Sequence, residues 1–334
     1  MKVLVTGANG HVGYNLVQAL VAAGHTVRGS VRGLDDAVKM ARLKAIPGLE
    51  IVEAHLEKRH SLRAAMEGMD ALCHTAAIYR IVSTDAGDDI VRASVDGIDT
   101  AMRAAKEAGV GRIILTTSIV ALPLTPHGAP PATEAQWQDN LSVPYFRAKT
   151  QGERHAWALA RALGLDLVSI LPAPAGGPGF VRNTPTIDVI EGIMQGALRI
   201  AAPPIHYPYV DVRDAAAAHV LALAPQASGR YVVANDEIPT LAEIAAVMHG
   251  IDPRVRTPLF EFNARLLPAL PLIERIVSAV KGVRSTMSPE LAATFSGKRF
   301  NVTSARIRAE LGWAPRVSLR DSLTDTMALL RARV

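Results

Sequence analysis

Two groups of residues in this chain have types and spacings suited to chemistry. The first is Tyr145-Phe-Arg-Ala-Lys149, whose Tyr145 and Lys149 are four residues apart. On a helix such a pair shares one face, one turn apart. An ammonium beside a phenol stabilises the phenolate and readies it for proton exchange nearer neutral pH. The second group is Thr6-Gly-Ala-Asn-Gly-His-Val-Gly13, where Gly7, Gly10 and Gly13 recur at every third position directly after a strand-like run. Such spacing gives a tight turn, lets the backbone approach a pyrophosphate and lets a helix pack closely on the strand before it. The helix that opens there offers free N–H groups and a favourable dipole to an anion. A proton-exchanging phenol and a dinucleotide turn in one chain point to hydride transfer at a carbonyl or an alcohol.

Ser118 closes the apolar run Arg112-Ile-Ile-Leu-Thr-Thr-Ser118. In a parallel sheet that position puts its hydroxyl in the cleft at a strand's carboxyl end. Alternation along the strand aims Thr117 the other way. The second strand, Thr26-Val-Arg-Gly-Ser-Val-Arg32, selects the cofactor. An NAD-binding turn carries a carboxylate near this strand's end to hold the ribose diol. Here position 31 is Val, Arg32 follows, and Lys39 comes seven residues later. A guanidinium can fork onto a 2′-phosphate, with each charge-assisted bond contributing roughly 1.5–3 kcal/mol. The expected cofactor is NADPH/NADP+.

Apolar runs at 2–6, 26–31, 50–54, 70–74, 112–117 and 166–171 alternate with amphipathic stretches near 11–23, 34–45, 59–67, 87–108 and 142–163. Helices separating buried strands predict right-handed βαβ crossovers and a parallel sheet covered on both faces. The fold expected is α/β: a doubly wound parallel (Rossmann) sheet with a smaller, interleaved substrate-binding lobe. Residues 1–172 and 209–233 are assigned to the dinucleotide-binding domain, and 173–208 and 234–334 to the lobe. The run Pro172-Ala-Pro-Ala-Gly-Gly-Pro-Gly179 reads as a structured loop. Helices are expected near 240–249, 259–281, 305–311 and 318–332, the second of these as a helix pair packed over the cleft.

Thirty-six basic residues stand against 31 acidic ones, and the net charge of +5 forms no stripe or tail, so no nucleic-acid partner is expected. Cys73 is the only cysteine, which excludes an intramolecular disulfide and a cysteine metal cluster; no metal is expected. Residues 113–133 carry no Asp, Glu, Lys or Arg, but prolines at 123, 126, 130 and 131 keep them from being a spanning helix. The chain opens directly on a strand, leaving no room for a signal peptide, and a cytoplasmic location away from membranes is the expectation.

Together, the glycine turn, Tyr145–Lys149 and Tyr209-Val-Asp-Val-Arg-Asp-Ala-Ala-Ala-Ala-His219 resemble the extended short-chain dehydrogenase/reductases over nearly the whole chain. The second strand with Lys39 is similar to that of dihydroflavonol and cinnamoyl-CoA reductases and their bacterial relatives. Residues 259–330 are similar to bacterial epimerase/dehydratase proteins. The resemblance implies a catalytic set of Ser118, Tyr145 and Lys149. Tyr145 would protonate the alkoxide that develops as hydride arrives, Ser118 would stabilise it, and Lys149 would also hold ribose hydroxyls. It implies cofactor contacts at Gly7, Asn9, Gly10, His11, Val12 and Gly13 of the turn, and at Arg32 and Lys39. His55 and Leu56 would lie beside the adenine, and Thr75, Ala76 and Ala77 beside the ribose and nicotinamide. Ser94, Thr116, and Pro172 to Ala175 at the carboxamide complete the set. Three positions depart from the family's usual residues: His55-Leu56 in place of Asp-Leu, Ser94 in place of Asn or Thr, and Ala148 in place of Ser. His55 is read as a surface or edge residue.

Three functions are weighed. The first is an NADPH-dependent reductase of a fairly apolar ketone or aldehyde. The second is a nucleotide-sugar epimerase or dehydratase, with Arg182, Arg199 and Arg213 available to phosphates. The third is a non-catalytic NADP sensor, which the Ser118/Tyr145/Lys149 set disfavours. Tyr79, His127 and Tyr207 sit on loops that reach toward the cleft. The expected partners are a small carbonyl or alcohol substrate and a second copy of the chain, because helices 87–108 and 142–163 often form a homodimer interface in such enzymes.

Overall fold

The structure, a computed structural model, describes residues 1–76, 87–263 and 288–333; the side chain of Lys39 lies outside the described set. Strands and helices alternate through the first part: β1 (Lys2–Thr6), α1 (His11–Ala22), β2 (Thr26–Val31), α2 (Ala37–Lys44), β3 (Glu50–Glu53), α3 (Arg59–Met66), β4 (Ala71–His74), α4 (Gly87–Glu107) and β5 (Arg112–Thr116). A 3-10 turn (Ile119–Ala121) and the short β6 (Thr125–Pro126) lead to α5 (Pro144–Leu163) and β7 (Asp166–Pro172). There follow β8 (Ala175–Gly176), α6 (Pro185–Met194), β9 (Ala201–Ala202), β10 (Val210–Asp211), α7 (Val212–Leu221) and β11 (Gly229–Val233). The described chain ends with α8 (Leu241–Ile251), β12 (Phe260–Glu261), α9 (Pro289–Phe295), β13 (Lys298–Arg299), α10 (Ala305–Leu311) and α11 (Leu319–Arg331).

Seven strands pair in the order β3-β2-β1-β4-β5-β7-β11, and every neighbouring pair is parallel. Apolar residues occupy both sides of these strands because both faces are covered. On β1, Val3 and Val5 enter one core with Leu16 and Leu20 of α1 and Ala215 and Ala216 of α7. Leu4 enters the other, with Leu62 and Met66 of α3, Met102 of α4 and Ala156 and Ala160 of α5. The order reverses between β1 and β4, so the crevice at their carboxyl ends is where a doubly wound sheet takes its ligand. This is the Rossmann-type arrangement that the strand–helix alternation predicts.

A third core joins α6, α8 and α11 through Phe180, Ile187, Ile190, Tyr209, Met248, Leu323, Met327 and Leu330. Asp214, in the first turn of α7, fastens the C-terminal segment to that helix. Its carboxylate accepts from the amides of Arg316 and Val317 at 3.0 Å each, and its carbonyl accepts from Trp313 Nε1 at 2.9 Å. No described helix is long and apolar enough to cross a membrane.

The structure corrects the sequence reading in three places. Helices α6 and α9 stand where no helix was expected; each begins with a capping hydroxyl, Thr184 or Ser288, and a proline in its first turn. The stretch expected to be helical from 259 instead opens with strand β12, which pairs in parallel with β9. Residues 264–281 of that stretch lie outside the described residues. Strand β5 ends at Thr116, two residues before Ser118.

Candidate active site

The glycine turn lies at the switch point. Gly7 has φ +69°, the left-handed region that favours glycine, and a Cβ there would meet Ala76 Cα at 3.0 Å. A Cβ on Gly13 would lie 2.2 Å from the Gly7 carbonyl oxygen, so only glycine lets α1 approach this closely. Gly10 caps α1 with no side-chain hydrogen bond, and no acid stands in the first turn. The amides of His11, Val12 and Gly13 therefore have no carbonyl one turn back and remain available to an anion. A dinucleotide diphosphate fits this cradle.

Around the turn, β1 and β4 are tied by hydroxyl bonds. Thr6 Oγ1 lies 2.9 Å from His74 Nδ1 and accepts the Ala76 amide at 3.2 Å, while the Thr75 hydroxyl donates to the Thr6 carbonyl at 2.6 Å. Asn9 sits in the same turn. The His11 imidazole is engaged by the loop after β8: its Nε2 lies 3.0 Å from the Pro178 carbonyl and its ring meets Phe180 edge-on at 5.5 Å. Asn15 donates to the same Pro178 carbonyl at 3.0 Å, so the proline–glycine loop after β8 is held on α1.

Of the two arginines of the second strand region, Arg28 is built into the fold, donating to the Ala65 carbonyl at 2.8 Å and pairing with Glu50 at 2.8 Å. Arg32 is exposed just past the strand, beside buried Val31, and forms no ion pair or hydrogen bond among the described residues. Lys39 lies on α2. His55 is an edge residue: its amide donates to Ser61 Oγ at 3.1 Å and its Nε2 sits 3.2 Å from Glu53. Ala77 lies outside the described residues.

Helix α5 begins with Pro144 at its first position, which presets the backbone for Tyr145 in the first turn. Tyr145 and Lys149 are both partly buried. Lys149 lies close enough to His74 for its charge to act on that imidazole, whereas Tyr145 acts electrostatically on Tyr207 of the second lobe. The head of α5 thus stands between the sheet's carboxyl edge and the lobe. Burial pushes the Tyr207 phenol up to about 12, with a Thr186 hydrogen bond opposing and Tyr145 adding to the shift. Ser118, extended at φ −170°, is buried, and its hydroxyl accepts the Val120 amide at 3.4 Å. Leu56, Ala76, Ser94, Thr116 and Lys149 line one small cavity together with His74, Thr117 and Glu153.

Several hydroxyls assigned to the cofactor also hold the fold. Ser94 donates to the Ala148 carbonyl at 3.3 Å, and Thr116 Oγ1 lies 2.7 Å from His219 Nε2. Pro172 ends β7 opposite Val233, and Ala175 pairs with Val210. Arg213 is not free for a phosphate. It binds Asp211 through two nitrogens, at 2.8 and 3.0 Å, and Asp325 at 2.8 Å. Arg182 and Arg199 are exposed. Among the described residues no group of three or more His, Cys, Asp or Glu could hold a metal, and burial pushes the Cys73 thiol up to about 12.

The sequence reading missed the support beneath the site. Glu153, one turn past Lys149 and fully buried, accepts two bonds from Arg230 of β11, at 2.8 and 3.0 Å, and one from the Thr117 hydroxyl at 3.3 Å. Arg230 also donates to the Glu134 and Gln136 carbonyls at 2.7 and 2.6 Å and lies 3.8 Å over the Trp137 ring. The signal available was an acid on the helix face that should be apolar and an arginine inside an apolar strand.

Three buried imidazoles give the fold a pH dependence. His11, His74 and His219 are each lowered to about 4, in every case chiefly by burial. The unfolded chain takes up these protons near pH 6.5, so it binds more protons than the folded chain between about pH 6.5 and 4. Their stabilisation is complete above that window and is lost as pH falls through it. Each should remove about 2 kcal/mol between pH 7.5 and pH 5. Urea unfolding at the two pH values should show this loss, smaller by about that amount in His219→Gln; an unchanged loss in the variant contradicts the assignment.

Residues 3–234 match the NAD dependent epimerase/dehydratase family. The chain is 35% identical over 286 residues to cinnamoyl-CoA reductase 1 of Arabidopsis thaliana, covering 81% of this chain and 76% of that protein. It is 31% identical over 341 residues to sterol demethylase protein B of Methylococcus capsulatus, covering 100% and 99%. Its fold matches yeast methylglyoxal/isovaleraldehyde reductase Gre2 complexed with NADPH, with a TM-score of 0.78 over 100% of both chains at 19% identity. The chain therefore belongs to the NAD-dependent epimerase/dehydratase family, within the extended short-chain dehydrogenase/reductases. Members of this family are NAD(P)H-dependent oxidoreductases.

Proposed function

We propose that the protein is an NADPH-dependent reductase of a ketone or aldehyde with a largely apolar body. The observation that carries this reading is the carboxyl end of β2: Val31 stands where a ribose-binding carboxylate would be, and Arg32 beside it has no acid partner among the described residues. NADPH, when bound, supplies a hydride to the carbonyl carbon. Tyr145 holds the carbonyl oxygen and gives it a proton, Ser118 donates a second hydrogen bond to that oxygen, and Lys149, one turn along α5, holds ribose hydroxyls and stabilises the phenolate that the transfer leaves. Residues 1–172 and 209–233 would hold the dinucleotide, and the remaining lobe the substrate, with α4 and α5 as the homodimer face. A nucleotide-sugar epimerase would need cations for a second diphosphate, and Arg213 is engaged by Asp211 and Asp325.

The test is a panel of carbonyl compounds with NADPH against NADH. Wild type should favour NADPH. Arg32→Asp should lose ten- to a hundredfold in kcat/KM for NADPH, about the worth of one charge-assisted bond, while losing little with NADH. Preference for NADH in the wild type contradicts the reading.

A further inference from the structure

We propose that a receptor formed by Thr125, His127, His206 and Arg299 binds an oxyanion, a carboxylate or a phosphate, carried by the substrate. The word substrate rests on the reductase reading; the anion site rests on geometry alone.

Strands β6 and β13 form an antiparallel ribbon in which Arg299 is opposite Thr125. Opposed residues share a face, as do residues two apart on one strand. Arg299 and Thr125 therefore stand on one side of the ribbon and Lys298 and Pro126 on the other, while His127 is exposed in the turn that follows β6. His206, bridged to Thr240, brings its ring edge-on to within 5.9 Å of the His127 ring. Basic groups have been gathered here from three parts of the chain.

Their polar atoms are unmatched. Among the described residues eight buried side-chain nitrogens or oxygens lack a hydrogen-bond partner, and three of them are in this cluster: Thr125 Oγ1, His206 Nδ1 and Arg299 Nε. Thr125 is only 8% exposed, and Arg299 forms no ion pair among the described residues. Burial, then Arg299, then His127 lower the pKa of His206; Glu243 and Glu261 oppose them with smaller effects. Of these acids, Glu243 is engaged with the Thr240 amide at 2.7 Å, and Glu261 lies on exposed β12. A donor-rich cluster built around one guanidinium without a bonded acid is stabilised by an incoming oxyanion, which the guanidinium takes in bidentate fashion.

Chain neighbours of these residues lie near the head of α5. Phe300, next to Arg299, meets Phe146, next to Tyr145, at 5.9 Å between ring centroids. Tyr207, next to His206, acts electrostatically on Tyr145 itself. A carbonyl held by Tyr145 and an anion held by Arg299 would belong to one molecule of modest length.

The experiment has two arms. In the first, NMR of histidine-labelled protein with NADP+ is titrated with inorganic phosphate and, separately, with acetate. Saturable shifts of the His127 and His206 ring signals that vanish in Arg299→Met, and return in part in Arg299→Lys, are expected. Absent shifts, or shifts unchanged in Arg299→Met, overturn the site. Which of the two anions binds more tightly identifies phosphate or carboxylate. In the second arm, keto acids and their methyl esters are compared as substrates. Wild type should favour the acid by ten- to a hundredfold in kcat/KM through KM, with that ratio collapsing toward one in Arg299→Met; equal use of acid and ester by the wild type overturns the site's role in substrate binding. Anion shifts without turnover of any carbonyl would leave the receptor standing and remove the reductase reading instead.

Discussion

Replacing Arg230 with methionine is expected to destabilise the folded chain by about 3–5 kcal/mol, the cost of leaving a buried charge without its partner. Glu153 has a side chain with no solvent exposure, and both its oxygens face the Arg230 guanidinium. The variant would also strip the donor from two backbone carbonyls of the loop before α5, those of Glu134 and Gln136. Urea denaturation of wild type and variant checks this, and a difference under about 1 kcal/mol contradicts it. Adding Glu153→Leu should recover part of the loss, because removing both charges of a buried pair costs far less than removing one. The same network bears on catalysis. Glu153 lies on α5 one turn beyond Lys149, and its Thr117 partner precedes Ser118. The single variant should therefore lower kcat as well.

The second large effect is expected at Tyr145. Tyr145→Phe removes one hydroxyl from a partly buried ring at the head of α5. Loss of a positioned general acid costs on the order of 10²–10⁴ in rate, so kcat should fall by that factor while the KM for NADPH changes little. The phenylalanine ring keeps the packing against the surrounding core, so the unfolding midpoint should stay close to that of the wild type. A variant retaining full kcat would remove Tyr145 from the chemistry.

The sheet was legible because parallel strands covered on both faces leave unbroken apolar runs, and Leu4, Leu72 and Ile113 on one face with Val3, Cys73 and Ile114 on the other did so. The turn and the Tyr145–Lys149 pair were legible because both are local, fixed within eight and five residues. What remained hidden depends on distant partners. Glu153 on a helix reads as a solvated acid until β11, 77 residues away, brings Arg230 to it. The bonds that Thr75, Thr116 and Ser94 make to Thr6, His219 and Ala148 form only once the sheet and helices meet, so they could not be read from the chain. Helix α6 was missed although Thr184 and Pro185 start it and Ile187, Ile190 and Ile193 share its buried face. Its β-branched residues and Gly192 have weak helix propensity, and tertiary packing supplies what propensity lacks. Strand β12 was misread because a run rich in Leu, Phe and Pro has no period long enough to separate strand from helix.

The most direct test of the account is label transfer from NADPH deuterated at the nicotinamide C4, with a carbonyl substrate found by the panel, followed by mass spectrometry of the product. The account predicts one deuterium on the carbinol carbon of the released alcohol and stoichiometric free NADP+. Product that carries no label, with the cofactor retained on the protein and unchanged in redox state, would contradict it.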